Sequence, residues 1–168
     1  MEQKRKIKLS NEEEFIEIVK EVCRESSFPE TEQYIQHGIT SVYDHSLAVA
    51  YYSCWLAERF QIKVRKRELI RGALLHDYFL YDWHEKTEGR RFHGFTHPGC
   101  ALRNAARDFN LTRVEKDIIR KHMFPLTPIP PMCREGLLVC IADKVCSTYE
   151  TIHRKQVNWL LYHMNWNY

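Results

Sequence analysis

An all-α bundle of six or seven helices is the fold class this chain predicts, and two observations carry it. Apolar residues recur at three- and four-residue spacing along most of the chain, and no segment alternates apolar and polar residues as a half-buried strand does. Helix-start pairs at Ser10/Glu13, Ser41/Asp44 and Thr112/Glu115 punctuate that pattern. The 168 residues suffice for a single domain, and a composition 44% hydrophobic and 12% aromatic supplies a substantial core and argues against disorder.

The first pair opens a helix of about residues 11–25, with Phe15, Val19 and Val22 on one face. "SSFPETEQYIQHGIT" then reads as a connector. The second pair starts a helix running to about Phe60, whose inner stripe is His45, Val49, Tyr52, Leu56 and Phe60, so His45 heads an apolar face. A third helix, roughly 64–82, carries Leu69, Ala73, His76 and Leu80 on one row and Ile70, Leu74, Asp77 and Tyr81 on the next. Both polar residues of "RGALLHDYFLYDW" therefore fall on the buried side.

"HEKTEGRRFHGFTHPGC" is a loop longer than compact domains usually need. Pro98 suits the first position of a new helix, which sets His97 at a non-helical N-cap. The third pair precedes a helix ending near His122, with Val114 and Ile118 in register. "FPLTPIPPM" cannot be regular and is a candidate rim or lid. Residues 133–166 return to helical periodicity, with Asp143 directly after "LLVCIA". The closing "QVNWLLYHMNWNY" is apolar enough to pack on the domain or on a partner subunit.

Composition narrows the function classes. No apolar run reaches the length of a membrane span, and "MEQKRKIKLSNEEE" has no signal-peptide core. The six cysteines show no CxxC spacing and read as free thiols in a reducing cytoplasm. A net charge of +3 does not argue for nucleic acid, and "KVRKRELIR" reads equally as a solvated helix entrance.

Six residues stand out: His45, His76, Asp77, His97, His122 and Asp143 are polar, scattered, and each attached to an apolar segment. A lone histidine on such a face is usually a satisfied core group, and a lone aspartate caps a helix or meets an arginine. Burying an unpaired ionised group costs several kcal/mol, so six such sites ask for one cause. Metal ions satisfy imidazole nitrogens and carboxylate oxygens converging from several helices all at once.

The order of these residues resembles the HD superfamily of metal-dependent phosphohydrolases. The matching segments are "YDHSLAVA" with His45, "ALLHDYF" with His76 and Asp77, and "VCIADKVC" with Asp143. "FTHPGCALRNA" with His97 and "IIRKHMFP" with His122 supply two intervening histidines, as in members that hold two metals. The resemblance covers roughly residues 40–150. It implies that His45, His76, Asp77 and Asp143 hold one metal and that Asp77 bridges to a second held by His97 and His122. Nitrogen and oxygen ligands without thiolate favour iron, manganese, cobalt or zinc.

The implied chemistry is hydrolysis of a phosphate ester or anhydride bond of a small molecule, with a nucleotide among the candidates, by a water that the metals acidify. Lys144, Lys121, Arg103 and Arg71 are candidate cationic neighbours for the phosphate, Lys144 first because it follows Asp143. Where many phosphodiesterase relatives place a glycine and a lysine after the His-Asp pair, this chain has Tyr78, Phe79 and Leu80. These aromatics could stack a base or simply fill the core. His93, Asp82 and His84 are open between a role at the site and exposure to solvent.

Two other classes stay open. Some HD proteins use a similar ligand set to hold two irons and cleave C–H or C–C bonds with oxygen, and oxygen dependence separates the two chemistries. A non-catalytic ligand-binding module is the third reading. A structural zinc site fits poorly, because such sites close at four ligands.

Overall fold

The computed structural model describes residues 7–82 and 93–153. Asn11 opens the first helix, α1 (Glu12–Glu25), its side chain accepting a hydrogen bond from the Glu14 amide at 3.2 Å. The start lies one residue past the expected Ser10/Glu13 pair because Ser10 is engaged elsewhere: its amide and hydroxyl both donate to the Glu58 carboxylate. Three glutamates in the first turn complement the helix dipole, and Phe15, Ile18, Val19 and Val22 are buried.

The expected connector holds more structure than its sequence suggests. A 3-10 helix spans Phe28–Gln33, followed by a small antiparallel hairpin of β1 (Ile35–His37) and β2 (Thr40–Ser41). Strands of three and two residues are too short for alternation to be visible in sequence, so the strand-free expectation needs this correction. The hairpin turns through Gly38 at φ 60°, a left-handed conformation that glycine adopts without steric cost.

Ser41 caps α2 (Val42–Arg59) by accepting from the Asp44 amide at 3.0 Å, as expected. The third helix is shorter than expected: α3 is Lys66–Leu74, and His76 and Asp77 lie in the turn after it. The His76 ring supplies the reason. Its Nδ1 lies 2.6 Å from the Ala73 carbonyl, the acceptor that the Asp77 amide would use in a continuing helix.

The expectation for His97 is also corrected. Helix α4 (His93–Asp108) begins four residues earlier and runs through Pro98, so His97 is helical and not an N-cap. Thr112 and Glu115 form the expected reciprocal cap of α5 (Arg113–Lys121), which ends at His122. The proline-rich stretch after it is irregular and carries a cis Phe124–Pro125 bond. Helix α6 (Arg134–Ile152) is capped by Cys133, and "QVNWLLYHMNWNY" lies outside the described residues.

Helix α2 packs against α3 and α6, and α5 packs against the same two, so these four close a ring. Helix α1 adds to α3 from outside, and α4 to α5. Leu47, Leu69, Leu74, Ile118, Ile119 and Val139 are buried in this core. Gly72 sets the approach of α3 to α5: a Cβ there would fall 2.5 Å from Ile118 Cδ1. Tyr78 and Phe79 are fully buried, and the Tyr78 hydroxyl donates to Asp108 at 2.6 Å, so this part of the aromatic run is core. The six cysteines are free, with Cys54, Cys140 and Cys146 buried. Burial pushes the Cys54 thiol up to about 12.

Candidate metal centre

Every one of the six singled-out residues is buried, and the ring of helices brings them to one place. His45 comes from the first turn of α2, where the Ser41 cap fixes the start of the helix. His76 and Asp77 come from the turn after α3, His97 from α4, His122 from the end of α5 and Asp143 from mid-α6. The turn changes the geometry expected for His76 and Asp77. They do not share a helical face; leaving the helix lets both point into the centre.

Asp77 divides the cluster in two. Its Oδ2 lies 3.4 Å from His76 Nε2 and 3.9 Å from His45 Nε2, while its Oδ1 lies 3.1 Å from His97 Nε2 and 3.4 Å from His122 Nε2. Asp143 Oδ1 completes the first side, 3.2 Å from His45 Nε2 and 3.8 Å from His76 Nε2. The potential ligand atoms of His45, His76 and Asp143, and those of His76, Asp77 and His122, lie within 4.8 Å of one another.

The tautomers bear on whether cations fit. His76 Nδ1 and His122 Nδ1 face the carbonyls of Ala73 and Ile119 at 2.6 and 2.9 Å. A carbonyl only accepts, so each Nδ1 carries its hydrogen, and the neutral ring turns its Nε2 lone pair inward. His76 Nε2 is buried without a hydrogen-bond partner among the described residues. His97 Nε2 and His122 Nε2 approach to 2.9 Å, a contact that either a proton on one ring or a cation between the two nitrogens satisfies. Lone pairs and carboxylates facing one another in a dry centre are the donor set of cation sites, and the residues present fit them.

The electrostatics are those of tightly coupled charges. Burial pushes the Asp77 carboxyl up, but the imidazoles of His76, His97 and His122 outweigh it and hold the group well below its ordinary range. Asp143 is likewise held low by His45 and His76 against its burial. For His45 burial disfavours the charged ring, yet Glu150 and Asp143 raise it well above the ordinary histidine value. His122 is lowered, by burial and by its histidine neighbours, with Asp77 opposing.

Lys144 joins this group. Its Nζ donates to the His122 carbonyl at 2.9 Å and to Asp143 Oδ2 at 3.2 Å, with its side chain still partly exposed. The other three candidate cations are not gathered here. Arg71 meets Glu115 at 3.0 Å and lies over the Phe109 ring, and Lys121 pairs with Asp117. Arg103 lines a different cleft. Asp82 is half-buried, while His84 and the side chain of His93 lie outside the described residues.

Three residues at the centre escaped the sequence reading. Glu150 Oε2 lies 2.8 Å from His45 Nδ1, and Ser147 donates to Asp143 Oδ1 at 3.1 Å. Their four- and seven-residue spacing from Asp143 on one helix was a usable signal. Gln36, whose Nε2 donates to Asp77 Oδ2 at 2.6 Å, had none, because it arrives on the short hairpin.

Comparison with protein families settles the kinship. The model of the HD domain matches residues 42–148, more than half of the chain. This chain belongs to the HD domain family. Its members are in general metal-dependent phosphohydrolases, and the matched region holds all six buried residues of the cluster. No curated protein and no solved structure matches the chain. Among the described residues, no helix of this HD domain protein is long and apolar enough to cross a membrane.

Proposed function

We propose that this HD domain protein hydrolyses a phosphate ester or anhydride bond of a small phosphorylated molecule, with nucleotides among its candidate substrates, at a centre holding two divalent cations. The observation that carries the proposal is Asp77, whose two oxygens face separate pairs of imidazole nitrogens from 3.1 to 3.9 Å away. In this reading His45, His76, Asp77 and Asp143 hold one cation, and Asp77, His97 and His122 the other. Iron, manganese, cobalt and zinc all suit the donor set.

When bound, such cations supply an acidified water and neutralise charge developing at phosphorus. The chain's own part is orientation and exclusion. The carbonyls of Ala73 and Ile119 fix two rings as Nδ1–H tautomers, and Glu150 holds His45 from behind. Lys144 places a positive charge at the edge of the centre, where it would meet phosphoryl oxygens. Its stem also lines an apolar cavity of about 710 Å³ with Phe124, Ile141 and Tyr149, which would take the organic part of the substrate.

The test is metal analysis of the purified protein, followed by a panel of nucleotides and phosphomonoesters under anaerobic conditions with added Mn²⁺ or Co²⁺. Hydrolysis without oxygen is expected, and Asp77→Ala should lose bound metal and turnover together. A folded Asp77→Ala variant that kept both would overturn the proposal. Turnover that consumed oxygen would assign di-iron oxygenase chemistry to the centre instead.

A further inference from the structure

On the outer side of the α4–α5 pair lies a cleft of about 470 Å³ that the metal centre does not use. Phe95, Gly99 and Arg103 form one wall at four-residue spacing along α4, Arg120 and Lys121 at the end of α5 form the second, and Thr127 closes the third. His97 is two residues from both Phe95 and Gly99, which on a helix is about 200° round the axis. The cleft therefore opens away from the imidazole that faces Asp77.

Its chemistry is one-sided. Three cationic side chains line it and, among the described residues, no acidic one does. Lys121 is held by Asp117 at 2.5 Å, whereas Arg103 and Arg120 have no acidic partner among the described residues. Basic residues in the last turn of a helix answer its dipole, which explains Arg120 and Lys121 but not Arg103, which reaches the cleft from another helix. The guanidinium lies along this turn of α4: a Cβ at Gly99 would come 3.7 Å from Arg103 Nη1, an ordinary contact. Two guanidinium groups on one concavity match the several acceptor oxygens of a phosphoryl group. Phe95, 56% exposed at the rim, offers a ring face to whatever the phosphoryl group is attached to.

We infer that this cleft is a second phosphate-binding site, distinct from the metal centre and built to hold the phosphoryl group of a small molecule on Arg103 and Arg120. It does not depend on the hydrolase reading. Pro98 and Lys121 line it and are the immediate neighbours of His97 and His122, so a ligand seated there lies directly behind two donors of the centre.

Calorimetric titration of the full chain with sodium pyrophosphate, after EDTA treatment and dialysis, tests the inference. Saturable binding of one equivalent is expected. Affinity should fall at least tenfold in Arg103→Ala/Arg120→Ala, with unchanged circular dichroism. The same titration of Asp77→Ala should leave the affinity intact, because the metal centre is not involved. Absence of saturable binding would overturn the proposal. So would undiminished affinity in Arg103→Ala/Arg120→Ala, or loss of binding in a folded Asp77→Ala variant.

Discussion

Glu150 and His45, 105 residues apart in sequence, meet at 2.8 Å with both side chains fully buried. A carboxylate behind an imidazole fixes the ring's tautomer and makes its far nitrogen a better donor to a cation. Replacing Glu150 with Gln keeps an acceptor oxygen but removes the charge. Metal affinity, measured by chelator competition, should drop roughly 10- to 100-fold while the fold survives. Unchanged affinity would remove Glu150 from the centre.

Lys144 makes a different prediction because it touches no imidazole nitrogen in the cluster. Its ammonium sits beside Asp143 and the His122 carbonyl. Lys144→Ala should retain its metal content yet lose about 10²-fold in kcat on any substrate the panel yields, with Lys144→Arg recovering part of it. Equal losses of metal and rate would instead make it a structural support.

Asp117 governs acid stability at a site remote from the chemistry. It sits on α5, and its Oδ2 accepts from the amides of Met132 and Cys133 ahead of α6, while Oδ1 meets Lys121 at 2.5 Å. Partial burial raises its pKa, but Lys121 and these donors outweigh it, so the folded value lies below the usual 3.8. A depressed carboxyl stabilises the fold above its unfolded pKa, and that stability is lost as pH falls through the folded value. Asp117→Ala should cost about 1–2 kcal/mol at pH 7. The gap in melting temperature between variant and parent should close below the usual 3.8. A gap that stayed constant with pH would show the charge plays no part.

Gly72→Ala tests how closely α3 and α5 are required to approach. The added methyl would meet Ile118 Cδ1 at 2.5 Å, with Ile118 Cβ and Cγ2 at 3.1 and 3.2 Å, inside a filled core. Overpacking of this kind costs roughly 1–3 kcal/mol. Because α3 delivers His76 and Asp77 while α5 delivers His122, denaturant unfolding and metal affinity should weaken together. A variant as stable as the parent would show that Ile118 can move aside.

Periodicity and capping chemistry are local, so the helices and the starts of α2 and α5 were legible from spacing alone. The six donors were legible for a related reason: a polar group on an apolar face is a local anomaly, whatever explains it. Helix ends were less so. The stop at Leu74 depends on a histidine ring taking the Ala73 carbonyl, and the passage of α4 through Pro98 runs against the proline's usual preference.

The sequence by itself determined a predominantly helical fold and the residues it would bury at a cost, because both follow from side-chain type and spacing within one turn or two. Only the tertiary structure decided which way those residues face. The splitting of Asp77 between two pairs of histidines, the arrival of Gln36 on a hairpin, and the separation of Arg103 and Lys121 from the centre all depend on how α3, α4, α5 and α6 pack. Those relationships join residues dozens of positions apart, and periodicity along the chain holds no record of distance across it.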